Sequence, residues 1–458
     1  MPGDRTSSLP PPRDGASSRW IARDAASVWH GFTQMSTYAD LAPIMVERAE
    51  GRELIDVDGR RYLDAISSLW VTTLGHRVPE LDEALRRQLD RVAHSTLLGN
   101  GSTVVVELAE GLARVVPVDA PHVVFASDGA VAVEQAIKIA FQYRVNRGEA
   151  DRTAFLALGN AYHGDTVGAL SVGDEGFGTD IYAPLRFPVH RTPGYDDPGW
   201  AAKAVAALDR LGPGLTAMVI EPLVQGASGM LVADPADVRA VGEACRERGV
   251  LLVADDVATG FGRTGRLFAS EVCGIRPDLL CLGKGLTGGY LPMSATVAAG
   301  PVFDAFLGQD LGPRTFYHGH SYGGNALAAA VALRHLELLA DGAVLGNVVD
   351  RARQLAEQVD RVLVPHAGVA AVRQRGLMAG VELRPPAAGL GWGRRVCAGA
   401  VARGVLLRPL GDVVVLMPPL TVTAQEIDLI VRVVRESLDQ VIAEDGAAED
   451  GAARPVPA

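Results

Sequence analysis

Residues 122–145 read "HVVFASDGAVAVEQAIKIAFQYRV". An apolar, β-branched run leads into the turn Ser127-Asp128-Gly129-Ala130, and the rest carries apolar residues at helical spacing. A buried strand passing through a tight turn into an amphipathic helix is half of a β-α-β crossover, the unit that builds mainly parallel sheets. The same alternation recurs along the chain. "TAFLAL" (153–158), "AMVIEP" (217–222), "VLLVAD" (250–255) and "LLCLG" (279–283) are expected strands, and "DVRAVGEACRERG" (237–249) is an expected helix between two of them. An α/β fold with a mainly parallel central sheet follows, and such sheets take ligands at the carboxyl ends of their strands.

The flanks read differently. "VERAEGRELIDVDGRRYLDAISSLW" (46–70) alternates about an Asp-Gly turn, and "VAAVRQRGLMAGVEL" (369–383) with "GVLLRPLGDVVVLMPP" (404–419) forms a second antiparallel pattern before a closing helix near 424–441. The expected organisation is a large domain over 76–335 and a small α+β domain built from both chain ends, 26–75 and 336–441. Residues 1–25 and 442–458 are rich in Pro, Ser, Gly, Ala and acidic residues, and disorder is expected there.

Composition excludes several functions. The chain has 458 residues, 48% of them hydrophobic, enough for more than one packed unit. It shows no run of eighteen uncharged apolar residues and no apolar segment of a secretory signal, so a soluble, cytoplasmic protein is expected. Basic residues number 43 against 54 acidic ones, a net charge of −11, and the arginines are dispersed. Neither nucleic acid nor an anionic membrane is an expected partner. Cys245, Cys273, Cys281 and Cys397 lack metal-ligand spacing, so no metal is expected, only reduced core thiols.

The strand ends carry the chemistry. Asp255 closes "VLLVAD", where a carboxylate needs a cation, a hydrogen bond or a capping role. Gly129 and Ala130 open a helix whose free N–H groups suit a phosphate, although such a glycine also serves packing alone. Tyr162 follows the strand at 153–158 and offers a ring to a planar cofactor or to the core. Lys284 stands between an apolar strand and "GLTGG" in a chain with only three lysines. A buried amine with a lowered pKa attacks carbonyls. A phosphate site, a ring platform, a carboxylate for a pyridinium nitrogen and an imine-forming lysine together describe pyridoxal 5′-phosphate.

"VADDVATGFGRTG" (253–265), "PDLLCLGKGLTGGYLPMSAT" (277–296), "AYHGDTVGALSVG" (161–173) and "FYHGHSYGGNALAAAVAL" (316–333) resemble the class III aminotransferases of pyridoxal-phosphate fold type I. "WHGFTQMSTY", "DAISSLWVTTLGH", "HSTLLG", "VQGASGM" and "RPLGDVVVLMPPL" are similar to the branch that aminates 8-amino-7-oxononanoate in biotin synthesis. The resemblance spans residues 28 to 436. It implies that Lys284 forms the imine and shuttles the proton, that Asp255 binds the pyridine nitrogen, and that Tyr162 stacks near the cofactor and touches substrate. It further implies phosphate contacts from Gly129 and Ala130, with His320 and Ser321 reaching the phosphate from the neighbouring subunit of a homodimer. Substrate contacts are implied for Leu69, Trp70, Tyr162, Lys284, Gly319 and Arg408, the last pairing with a carboxylate.

Some positions depart from the family pattern. "SDGA" exchanges Ser127 and Asp128 relative to the usual phosphate loop, placing an acid beside it. Asp256 stands for a glutamate and Ser321 for a threonine. Leu69 replaces the first of two tryptophans and Phe32 a tyrosine at the pocket border, which leaves the amino donor open between S-adenosylmethionine and lysine. An ω-amino acid or diamine aminotransferase, and an aminomutase, are the alternative readings.

Overall fold

A computed structural model of the chain describes residues 15–452. The first alternating segment folds into three antiparallel strands, β1 (Val46–Glu50), β2 (Glu53–Asp56) and β3 (Arg61–Asp64). Between β2 and β3, Asp56 Oδ1 accepts from the N–H groups of Asp58 (3.0 Å) and Arg60 (2.9 Å), while Gly59 takes a φ of 78°. The side chain thus satisfies the turn's backbone donors where glycine supplies the left-handed residue.

The central sheet contains β4 (His122–Ala126), β5 (Ala154–Leu158), β6 (His190–Thr192), β7 (Leu215–Ile220), β10 (Leu251–Asp255), β11 (Leu279–Leu282) and β12 (Ser294–Ala298); a two-stranded ribbon of β8 (Val224–Gln225) and β9 (Leu231–Val232) lies beside it. Its order is β4-β12-β11-β10-β7-β5-β6. All neighbouring pairs are parallel except those of β12 with β11 and with β4. Every residue of β7, β10, β11 and β12 is buried, because helices cover both faces, and this explains why β7, β10 and β11 are mostly apolar.

Two sequence expectations change here. The strand expected at 217–222 runs instead from Leu215 to Ile220, since Pro222 has no N–H to continue a ladder, and Glu221 is left at its end. β12 went unrecognised because "SATVA" carries two polar residues in an interior strand. Thr296 is satisfied there through its hydroxyl, bonded to Ala132 O (2.7 Å) and Gln135 Oε1 (2.9 Å).

The C-terminal part supplies β13 (Val369–Arg375), β14 (Met378–Leu383), β15 (Val405–Leu406), β16 (Arg408–Leu410) and β17 (Val413–Leu416). β13, β14, β17 and β16 form one sheet, whereas β15 crosses to pair in parallel with β3, Val405 opposite Leu63. That pairing joins the two ends of the chain. The boundary expected at 335/336 falls inside a continuous helix, Ala326–Ala340.

Helices occupy part of both segments where disorder is expected. Helix Ala16–Ser27 occupies much of the first, fixed by a hydrogen bond from the Ser17 hydroxyl to the Asp58 carboxylate and by burial of Ile21. The closing helix continues through Ala424–Ala452, anchored by Arg395 to Glu444 (2.9 Å) and Asp445 (2.7 Å) and by Trp392 Nε1 to Asp445 (2.7 Å). Residues 1–14 and 453–458 lie outside the described residues. Among those described, no helix is long and apolar enough to cross a membrane, no cluster of His, Cys, Asp or Glu has metal-binding geometry, and all four cysteines are free and buried.

Candidate active site

A cavity of about 430 Å³ opens at the carboxyl ends of β4, β5, β7 and β10, and its wall includes Trp70, Gly129, Tyr162, Glu221, Asp255 and Lys284. Lys284 follows β11 and Gly283 with a φ of 41°, a left-handed conformation that a side chain adopts only when its surroundings hold it. Its Nζ lies 5.2 Å from the centre of the Trp70 ring and makes no ion pair among the described residues. Burial pushes the amine's pKa below its ordinary value, and the charges of Asp255 and Glu221 pull partly against that. A lowered pKa raises the share of neutral, nucleophilic amine at a given pH.

Trp70 reaches the cavity from a strained turn in which Ser67, Ser68 and Trp70 have φ of 53°, 61° and 66°. The turn is held from both sides. Asp64 accepts from Ser68 N (2.8 Å), the Ser67 hydroxyl donates to Met417 O (2.7 Å), and buried Arg263 donates to Thr72 O (3.2 Å) and Pro418 O (2.5 Å).

Asp255 ends β10 with both oxygens engaged: Oδ1 accepts from Val257 N (3.0 Å), and Oδ2 lies 2.7 Å from His163 Nδ1. Its neighbour Asp256 turns away to Thr259, Ala269 and Ser270 and plays a structural part. His163 is fully buried; burial disfavours its charge, but the Asp255 hydrogen bond and the charges of Asp255 and Glu221 outweigh this and raise its pKa. Glu221 is pushed up to about 7 by burial, opposed chiefly by the charge of His163. Its carboxylate accepts from the N–H groups of Tyr162 (3.0 Å) and Gly226 (3.2 Å). The Tyr162 hydroxyl donates to Asp165 (2.8 Å), and burial with that bond raises the phenol's pKa.

Opposite the lysine, helix Gly129–Asn146 points its N-terminus at the cavity. Asp128 caps it by accepting from Val131 N (3.0 Å), while the amides of Gly129 and Ala130, being first in the helix, have no partner one turn back. Close approach is built in. A Cβ at Gly129 would stand 2.6 Å from Val257 Cγ1, and one at Gly164, with φ of 120°, 2.5 Å from Ala130 Cβ. Open amides for an anion, a carboxylate across the pocket and an amine with a lowered pKa fit a planar group bearing a phosphate, a ring nitrogen and a carbonyl.

The fold thus brings together Lys284, Asp255, Tyr162, Gly129, Ala130 and Trp70. The remaining expected site residues are not on this wall. Leu69 is 47% exposed, Gly319 and Ser321 are exposed, and His320 Nε2 lies 2.9 Å from the Ser127 hydroxyl of its own chain. Arg408 is exposed on β16, and its side chain makes no hydrogen bond or ion pair among the described residues. Glu221 and His163 were not singled out from sequence. The signal for Glu221 was its place at the end of "AMVIE", where ligands to parallel sheets bind.

The family model for class III aminotransferases matches residues 35–438. An adenosylmethionine-8-amino-7-oxononanoate aminotransferase from Nitratidesulfovibrio vulgaris is 44% identical over 455 residues, covering 94% of this chain and 83% of that protein. The crystal structure of an enzyme of the same name from Methanocaldococcus jannaschii superposes with a TM-score of 0.89 at 36% identity, covering 92% of this chain and 98% of that one. A pyridoxal-phosphate-bound amine transaminase from an uncultivated Pseudomonas species gives 0.85 at 33% identity, covering 91% and 99%.

Proposed function

The chain belongs to the class III aminotransferases, and from that premise we propose that it transfers an amino group to 8-amino-7-oxononanoate, giving 7,8-diaminononanoate for biotin synthesis. The observation that carries this reading is the meeting of Lys284, Asp255 and Tyr162 on one cavity wall, in a chain 44% identical to a relative that bears the name of this activity. Pyridoxal 5′-phosphate supplies the reactive carbonyl and an electron-accepting ring.

The chain's own groups do the rest. The Gly129 and Ala130 amides would hold the phosphate, and the Asp255 carboxylate would accept a charge-assisted hydrogen bond from the protonated ring nitrogen. Tyr162 lays its ring along the pocket and borders the substrate. Lys284 would be the amine that holds the cofactor's carbonyl group and the base that takes and returns the proton at the substrate carbon. Leu69, Trp70 and Gly319 line the approach for an aliphatic chain, and the unpaired fork of Arg408 receives the terminal carboxylate. His320 and Ser321 complete the phosphate site of the other subunit in a cytoplasmic homodimer.

The donor is S-adenosylmethionine, in keeping with the names of the relatives. Lysine is a second reading, favoured by Leu69 at the pocket border. Mixing the holoenzyme with adenosylmethionine, lysine, alanine and putrescine in turn, then adding the ketone acid, separates the cases. Bleaching by adenosylmethionine followed by appearance of the diamine acid is expected. Bleaching only by alanine or putrescine would point to an ω-amino acid or diamine aminotransferase, and amine migration without net transfer to an aminomutase.

A further inference from the structure

A cleft of about 770 Å³, sharing no residue with the active-site cavity, lies between elements distant in sequence: the loop after β10 with helix Ala269–Cys273, helix Ala343–Val362, and the β13–β14 turn. Its walls are tied to one another. Leu377 N donates to Arg263 O (3.0 Å), and Gln374 Nε2 donates to Ala352 O (2.8 Å) and Gly376 O (3.0 Å). The turn comes so close that a Cβ at Gly376 would stand 2.2 Å from Arg263 O. A cavity already formed spends little free energy on ordering when a ligand enters.

The polar groups of this cleft are incompletely satisfied. Arg266 and Arg375 both line it, and neither side chain makes a hydrogen bond or ion pair among the described residues. Arg375 Nε is buried without a partner, and so is the hydroxyl of Thr264, a wall residue only 3% exposed. A buried donor without an acceptor costs stability, and an acceptor brought by a ligand removes that cost. The acid on the wall, Glu271, already accepts from Phe268 N (3.0 Å). Two guanidiniums therefore face one carboxylate, and guanidinium forks take the oxygens of carboxylates and phosphates in pairs. Val272, Val349 and Ala352 add an apolar side, and the volume is that of a small-molecule site rather than of a bare ion.

We propose that this cleft is a second ligand site, separate from the active site, for a small organic oxyanion, a phosphate monoester or a dicarboxylate, gripped between Arg266 and Arg375. Such a ligand bridges the loop after β10 to β13, so its binding stabilises the packing of those elements on each other. Neither arginine has a part in the steps above, and the proposal is independent of which ketone is aminated.

Its test reads binding rather than turnover. Full-length protein saturated with pyridoxal 5′-phosphate, so that the active-site phosphate position is already taken, is titrated by calorimetry with inorganic phosphate and with succinate. Sodium chloride holds the ionic strength constant, and thermal unfolding is recorded alongside. Wild type should bind at least one of the two probes and unfold at a higher temperature in its presence. Arg266→Gln and Arg375→Gln should each raise the dissociation constant about tenfold or more and cancel most of the thermal gain. Binding of phosphate alone supports the site and marks its ligand as a phosphate monoester; binding of succinate alone supports it and marks a dicarboxylate. No binding of either probe at millimolar concentration would overturn the proposal. So would wild-type affinity in either folded variant, because the anion would then sit elsewhere, as at Arg408. Arg266 is exposed, so Arg266→Gln should fold and carries the test alone if Arg375→Gln does not.

Discussion

Lys284 alone of the three lysines stands at a strand end; Lys138 lies within helix Gly129–Asn146 and Lys203 within Trp200–Leu211. Neither of those can reach the cavity wall that Lys284 shares with Asp255 and Glu221. Replacing Lys284 by Ala removes nucleophile and proton carrier together, so steady-state transamination should fall at least about 10³-fold. Near-normal turnover in that variant would refute the assignment. Arg408 is argued at the same scale. Because its guanidinium is unpaired, Arg408→Ala should leave folding intact and weaken binding of the ketone acid by about 1.5 to 3 kcal/mol, read from a rise in its dissociation constant. A ketone acid bound as tightly by the variant as by wild type would place the carboxylate elsewhere.

Among elements, the helix Gly129–Asn146 joins stability to function through Asp128. The exchange of Ser127 and Asp128 left open whether the acid faces the phosphate loop as a liability. The structure gives it a capping bond to Val131 N and a contact from the Ser127 hydroxyl at 3.1 Å. Asp128→Ala should therefore lower the unfolding free energy by about 1 kcal/mol, whereas Asp128→Asn, which keeps the capping oxygen, should stay within a few tenths of wild type. Denaturant unfolding of the two variants checks this, and equal losses would show that charge rather than the cap is what matters. The neighbouring turn Ser67–Trp70 teaches a related lesson. "SSLW" itself has no signal for three left-handed residues; Asp64, four residues before Ser68, and Met417, Pro418 and Arg263, distant in sequence, impose them directly or through Thr72.

At the level of the whole molecule, His335 marks a buried junction. Fully buried, it bonds the Thr73 hydroxyl through Nε2 at 2.6 Å, and burial pushes its pKa down to about 4. An unfolded histidine titrates near 6.5, so between about pH 6.5 and 4 the unfolded chain takes up a proton that the native state refuses. Stability should fall as pH drops through that window, by roughly 3 kcal/mol from this group. Wild type and His335→Gln compared by denaturant unfolding from pH 7 to 4 should diverge in slope; parallel curves would disprove the assignment. The proposed homodimer is tested by sedimentation at micromolar concentration. Trp29 and Phe32 are 89% and 69% exposed in the single chain, and apolar groups of that size call for a covering surface. A species of one chain mass would count against shared sites.

The layered fold, the strands β4, β5, β10 and β11 and the positions of Lys284, Asp255 and Gly129 were legible in the sequence. Each depends on periodicity over a few residues and on the rule that parallel strands present ligands at their carboxyl ends, and both are local. The helix Ala16–Ser27, the parallel pairing of β15 with β3, the strained turn under Trp70 and the burial of Glu221 and His163 beside Asp255 were not legible. They arise from contacts between residues tens to hundreds of positions apart, and the desolvation that sets those charges exists only once the strands are packed.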